Sequence, residues 1–185
     1  VAAVAALAEA EGFPLSLAFT HASSHYFQPQ PAALLRQEDA EVAAAAAARF
    51  YLRRFSPAAA ARAYFAAGYA HLVRTGRRPL PCRAGDRFFY VDPGAEVYLC
   101  NMRQENLGNL SRDGFREIWG GSRRAQLLAT TGDACPVQCW MVCTARTSIQ
   151  DHPWRVARWA AAAYARSIAG QEAVKTTCPS PDTTI

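Results

Sequence analysis

Apolar and small or polar residues alternate through Leu15-Ser16-Leu17-Ala18-Phe19-Thr20, a pattern that predicts a strand. Ahead of it, residues 1–11 read as the end of a helix stopped by Gly12, and a Gly-Phe-Pro turn joins the two. Residues 31–55 are helical in propensity, with Glu38, Asp39 and Glu41 early and Arg49, Arg53 and Arg54 late, as the helix dipole favours. Ser56-Pro57 then supplies an N-cap followed by proline at the first helical position. The helix it opens carries Tyr64, Phe65, Tyr69 and Leu72 and ends near Thr75-Gly76.

Beyond a short link over residues 77–81 the period changes. Arg87-Phe88-Phe89-Tyr90-Val91 and Glu96-Val97-Tyr98-Leu99 predict two strands joined through the turn Asp92-Pro93-Gly94-Ala95. Short helices are expected over 111–119 and 122–130, around Gly120-Gly121. A last, Ala-rich helix follows over 153–169 with Trp154 and Trp159, and the polar tail from Gly170, Cys178 included, reads as disordered. The fold class is therefore α+β. One helix–strand unit cannot bury both of its faces, so the opening residues are expected to be the trailing edge of a larger α/β domain.

Composition narrows the function class. The 185 residues are 51% hydrophobic with net charge +5, nearly all the basic charge is arginine, and Lys175 is the one lysine. Alanine and arginine in such abundance point to a GC-rich bacterial genome. The pairs Arg53-Arg54, Arg77-Arg78 and Arg123-Arg124 are scattered rather than clustered, so they read as solvated faces and not as a nucleic-acid surface. No apolar run reaches the roughly 20 residues of a membrane span, and residues 1–10 lack the basic start and cleavage site of a secretion signal. A cytoplasmic location, with an opening Val1 left by truncation, is the expectation.

The cysteines carry the chemistry. A hairpin brings the residue just before its first strand beside the residue just after its second, so Cys82 and Cys100 are expected at one open end. Cys135, Cys139 and Cys143 follow at even spacing, with Pro136 suited to a helix start. As one continuous helix that segment would hold Cys135 and Cys143 about 12 Å apart, so sharing a site requires it to bend. Thiolates from two distant segments point to a zinc ion or an iron–sulfur cluster, each taking four ligands of the five on offer. Buried cysteine acting as a small hydrophobe explains one such residue better than five.

Taken in order, Pro81-Cys82-Arg83-Ala84-Gly85, Tyr90-Val91-Asp92-Pro93, Val97-Tyr98-Leu99-Cys100, Leu107-Gly108-Asn109-Leu110, Phe115 with Glu117-Ile118-Trp119, and Cys135 through Cys143 resemble the SPASM-type C-terminal extension of radical SAM enzymes. The resemblance implies an oxidoreductase-like radical enzyme. Residues 1–30 would be the end of a partial TIM-like barrel, 31–80 a helical linker, 81–150 the auxiliary-cluster domain, 151–170 a C-terminal helix and 171–185 the tail. It implies one [4Fe–4S] cluster on Cys82, Cys100 and Cys143, completed by Cys135 or Cys139, and S-adenosylmethionine (SAM) in the full-length protein. It further implies an electron donor, a peptide or small-molecule substrate, and Ser23 and Ser24 near the SAM pocket.

Trp119 and Trp140 are expected to shield the cluster, and Arg83 and Arg146 are candidates for an acidic substrate or the SAM carboxylate. Full members carry seven such cysteines and two auxiliary clusters. Here the partner cysteines before Cys82 and after Cys143 are missing, and Ala95 takes the usual hairpin glycine position. The Cys-x-x-x-Cys-x-x-Cys motif of the SAM-cleaving cluster does not occur in this chain, which alone would be inactive. A zinc-stabilised module without catalysis is the alternative.

Overall fold

Two ordinary local signals set the helical part of the computed structural model, which describes residues 2–13, 15, 18–19 and 36–168. The Ser56 hydroxyl caps α3 by accepting from the Ala59 amide at 3.1 Å, with Pro57 at its first position. Gly76, left-handed at φ 68°, ends the same helix. Helices α1 (Ala2–Ala10), α2 (Gln37–Leu52) and α3 (Pro57–Thr75) follow in order. α2 begins with Glu38 and Asp39 in its first turn and ends with Arg49 in its last, as expected from its dipole.

Alanine decides how these helices meet. Ala40, Ala43, Ala44, Ala47 and Ala48 of α2 and Ala59, Ala63, Ala66, Ala67 and Ala70 of α3 are all buried, recurring at helical spacing on one face. Small side chains let two helix axes approach closely, and α2 and α3 make the most extensive helix contact in the chain. The stretch expected as a linker thus forms the centre of the main core. α7 (Pro153–Ile168) lays Val156, Trp159, Ala160 and Ala163 onto α3, where the Trp159 indole meets Tyr64 edge-on at 5.3 Å.

The strand expected over 15–20 is not formed at its described positions, because Leu15, Ala18 and Phe19 are irregular. The Tyr51 hydroxyl donates to the Leu15 carbonyl at 3.0 Å, and the Phe19 ring stacks on Tyr69 at 3.6 Å. Ser23, Ser24 and Cys178 lie outside the described residues.

The hairpin forms as expected, and shorter: β1 (Tyr90–Val91) pairs antiparallel with β2 (Glu96–Tyr98), Tyr90 opposite Tyr98. Asp92 Oδ1 accepts from the Gly94 and Glu96 amides, both at 2.9 Å, and Ala95 itself takes the left-handed conformation at φ 63°. A third strand, β3 (Asn106–Asn109), extends the sheet beside β2 with a bulge between Val97 and Tyr98. α4 (Phe115–Gly120) and α5 (Ser122–Leu128) follow, shorter than predicted, then α6 (Val142–Asp151). The structure is α+β, with a helical core and a small three-stranded sheet. Among the described residues no helix is long and apolar enough to cross a membrane.

Trp140 joins the sheet region to the helices. Its indole N–H donates to the Phe65 carbonyl of α3 at 2.8 Å, and its ring lies where a Cβ on Gly68 would stand 2.6 Å away. Gly68→Ala should therefore force the indole out and cost about 1–3 kcal/mol, an overpacking penalty. A denaturant midpoint equal to or above that of the parent chain would contradict this packing.

Candidate metal centre

Each cysteine is held by a separate device. Cys82 opens a tight turn in which the Gly85 amide donates to the Phe88 carbonyl at 2.8 Å and the Arg87 amide to Arg83 at 2.9 Å. At Gly85, φ is 76° and an added Cβ would stand 2.3 Å from Leu99, so only glycine lets this turn close against the residue before Cys100. The end of β2 then delivers Cys100 beside Cys82, as hairpin topology requires. Arg124, stacked over Trp119 at 4.2 Å, donates to the Gly85 carbonyl and fixes the turn from α5.

The segment from Cys135 to Cys143 bends. A short 3-10 turn (Gly132–Ala134) ends at Cys135, whose φ of −65° and ψ of 126° are extended, and no helix begins until Val142. Pro136 does not open a helix, because the chain must first carry Cys139 inward and seat Trp140 on α3. Cys139 is buried at 5% exposure, while Cys143, in the first turn of α6, is exposed as a residue. Two ties hold α6 against the Cys82 turn. Ser148 Oγ donates to the Pro81 carbonyl at 2.7 Å, and Asp151 accepts from Arg83 at 2.7 Å and Arg87 at 3.2 Å. Burial alone would raise the Asp151 carboxyl; the Arg83 hydrogen bond and the Arg87 and Arg83 charges hold it below its ordinary value.

Cys100 and Cys139 pack with Ala84 and Met102 in a second, smaller core, with Cys82, Phe88, Val137 and Met141 against it. These apolar neighbours screen the thiols. Trp140 follows Cys139 directly and packs on Phe65 of α3, whereas Trp119 packs on Phe89, Phe115 and Arg124. Met102, Val137 and Met141 were not singled out in the sequence, where lone apolar residues in irregular chain carry no periodic signal.

The thiols are desolvated and yet furnished with donors. Burial pushes Cys139 up to about 12, opposed by the Arg78 charge and a Thr144 hydroxyl, and reinforced by Cys82 and Cys100. Burial likewise raises Cys100, against the Met102 and Arg103 amides, with Cys82 and Cys135 adding to the rise. Cys143 is raised by burial of its thiol and by Cys82, against the Thr144 amide. The Ala84 amide points at Cys82 Sγ at 3.4 Å, whereas the Cys135 thiol donates to the Val137 carbonyl at 3.3 Å.

Five thiols, all free, thus meet in one neighbourhood. Among the described residues no three His, Cys, Asp or Glu are gathered so as to hold a metal ion as they stand. All-thiol donors, apolar screening and amide groups directed at sulfur fit the ligand set of an iron–sulfur cluster.

Arg83, a candidate for an acidic ligand, pairs with Asp86 and Asp151. One arginine departs from expectation. Arg78, expected on a solvated face with Arg77, is 3% exposed. A lone Arg-Arg pair gives no sign of which member turns inward.

Comparison with known proteins yields one finding: a family model described as SPASM, iron–sulfur cluster-binding domain, matches residues 82–144. No curated protein and no solved structure matches.

The raised thiols set the pH response of the metal-free chain. Thiols ordinarily titrate near 9.0, and folding moves Cys139 up to about 12, so the fold favours the protonated form. That contribution is fully present below pH 9 and disappears as pH rises toward 12. The unfolding free energy from denaturant titration should therefore hold steady up to about pH 9 and fall above it, by up to a few kcal/mol. A stability that rises over this range would contradict the buried thiols.

Proposed function

We propose, from the premise that residues 82–144 are a SPASM-type iron–sulfur cluster-binding domain, that the chain is the C-terminal, auxiliary-cluster part of a radical SAM enzyme. The cluster it holds is a single [4Fe–4S] centre. When bound, such a centre, with all four irons held by thiolates, supplies one-electron transfer. The chain's own residues furnish four thiolates, exclude water with Phe88, Met102, Val137 and Met141, and direct backbone N–H groups at sulfur, which tunes potential.

The observation that carries this reading is the match of residues 82–144 to an iron–sulfur cluster-binding domain, over a stretch that brings the free thiols Cys82, Cys100 and Cys139 into one small apolar core. An all-thiol donor set screened by apolar side chains suits such a cluster.

Packing favours one choice of fourth ligand. Cys139 shares a small core with Cys100 and Cys82. Cys135 is not part of that core and keeps its S–H on the Val137 carbonyl at 3.3 Å. We therefore take Cys139 as the fourth ligand and Cys135 as a bystander.

Substrate would approach through a cavity of about 650 Å³ beside α6, lined by Tyr51, Arg62, Phe65, Val142, Arg146 and Gln150 among others. Val142 adjoins Cys143, and two exposed guanidiniums over apolar walls suit a peptide or small molecule bearing a carboxylate. SAM and the electron donor would be engaged by the part of the enzyme carrying the Cys-x-x-x-Cys-x-x-Cys motif, in the cytoplasm.

Iron analysis of reconstituted variants tests the assignment. Cys82→Ala, Cys100→Ala, Cys139→Ala and Cys143→Ala should each lose most of the iron and the brown colour, while Cys135→Ala keeps both. Loss in Cys135→Ala with retention in Cys139→Ala would reverse the fourth ligand. Full iron in all five variants would remove the site.

A further inference from the structure

We infer that Arg78 is the counter-charge of the cluster and sets its reduction potential, a reading that rests on the thiol pocket holding an iron–sulfur centre. Arg78 Nη2 donates to the Gly132 carbonyl at 2.6 Å, but Nε and Nη1 are buried with no acceptor among the described residues. No carboxylate among them pairs with it. Arginine is almost never fully buried unless its charge is met, because the guanidinium loses its hydration and five N–H groups need acceptors.

A second buried arginine shows what the usual arrangement looks like. Arg103, 5% exposed, stands near Cys100 and Cys135, and its guanidinium is matched by both oxygens of Glu105 and by Thr130. Its charge is cancelled where it sits. Arg78 has the same burial and no anion among the described residues; the Gly132 carbonyl it holds also accepts the Cys135 amide, at 3.3 Å, which sets the guanidinium beside the cysteine segment, and its charge reaches the Cys139 thiol.

Four thiolates outweigh the positive charge of a [4Fe–4S] core, so a loaded cluster is a net anion in the very place where Arg78 lacks one. Each electron taken from an external one-electron donor makes that anion more negative. A fixed cation at low dielectric then stabilises the reduced form more than the oxidised form, which raises the potential.

The test compares the parent 185-residue chain with Arg78→Met and Arg78→Lys, each metal-free and each reconstituted with iron and sulfide. Metal-free Arg78→Met should be at least as stable to heat as the parent, since an unmatched buried charge has been replaced by an apolar side chain of similar size. Loaded Arg78→Met, titrated with dithionite and followed by electron paramagnetic resonance, should show a more negative midpoint. A shift of at least tenfold in the reduced-to-oxidised ratio, about 59 mV for one electron, is expected. Arg78→Lys, which keeps the charge, should stay near the parent value.

An unmoved midpoint in fully loaded Arg78→Met would overturn the inference while leaving the cluster in place. So would Arg78→Lys falling as far as Arg78→Met, or a metal-free Arg78→Met that melts well below the parent. A parent chain that takes up zinc and no sulfide would overturn the cluster reading itself.

Discussion

The indole of Trp140 is the joint on which the rest of the molecule depends. The Ala-rich helices bury their faces on one another, and Leu80, Trp140, Ala145 and Ile149 complete the core they form. The sheet and its turns are too small to make an independent core of ordinary stability. Seating Trp140 on Gly68 and on the Phe65 carbonyl fastens the second to the first. It also fixes Cys139, its immediate neighbour, at a set depth from α3. Ser148 and Asp151 of α6 do the same for the Cys82 turn. Thiols contributed by loops are thereby referred to a rigid helical frame, which is what positioning a ligand set requires.

Electrostatics then separates the thiol neighbourhood from an ordinary apolar core. A core of small hydrophobes gains nothing from amide groups aimed at sulfur or from a guanidinium buried nearby. Here Ala84, Met102 and Thr144 offer N–H or O–H groups to sulfur, and Arg78 adds an unmatched positive charge. Every one of these features favours sulfur as the anion. Burial opposes that ionisation and keeps the metal-free thiols protonated, so loading must release protons and bring its own compensating positive charge.

Local chemistry made much of this legible. Ser56-Pro57 and Gly76 marked the ends of α3, Asp92-Pro93-Gly94 marked the hairpin turn, and hairpin topology alone placed Cys82 beside Cys100. Tertiary context hid the rest. β3 is built from Asn106-Leu107-Gly108-Asn109, poor strand formers that pair only because Asn109 and Asn106 reach the Glu96 carboxylate across the sheet. The alternation at 15–20 reads as a strand, whereas the described Leu15, Ala18 and Phe19 are irregular, Leu15 accepting from the Tyr51 hydroxyl and Phe19 stacked on Tyr69. Pro136 signalled a helix start that the seating of Trp140 overrides. The inward turn of Arg78 left no trace in composition or spacing.

Anaerobic iron and acid-labile sulfide analysis of the reconstituted chain is the measurement that bears most directly on this account. About four irons and about four sulfides per chain are predicted, the content of one [4Fe–4S] centre on four thiolates. One zinc per chain with no sulfide would contradict it and leave the thiols as a structural clasp.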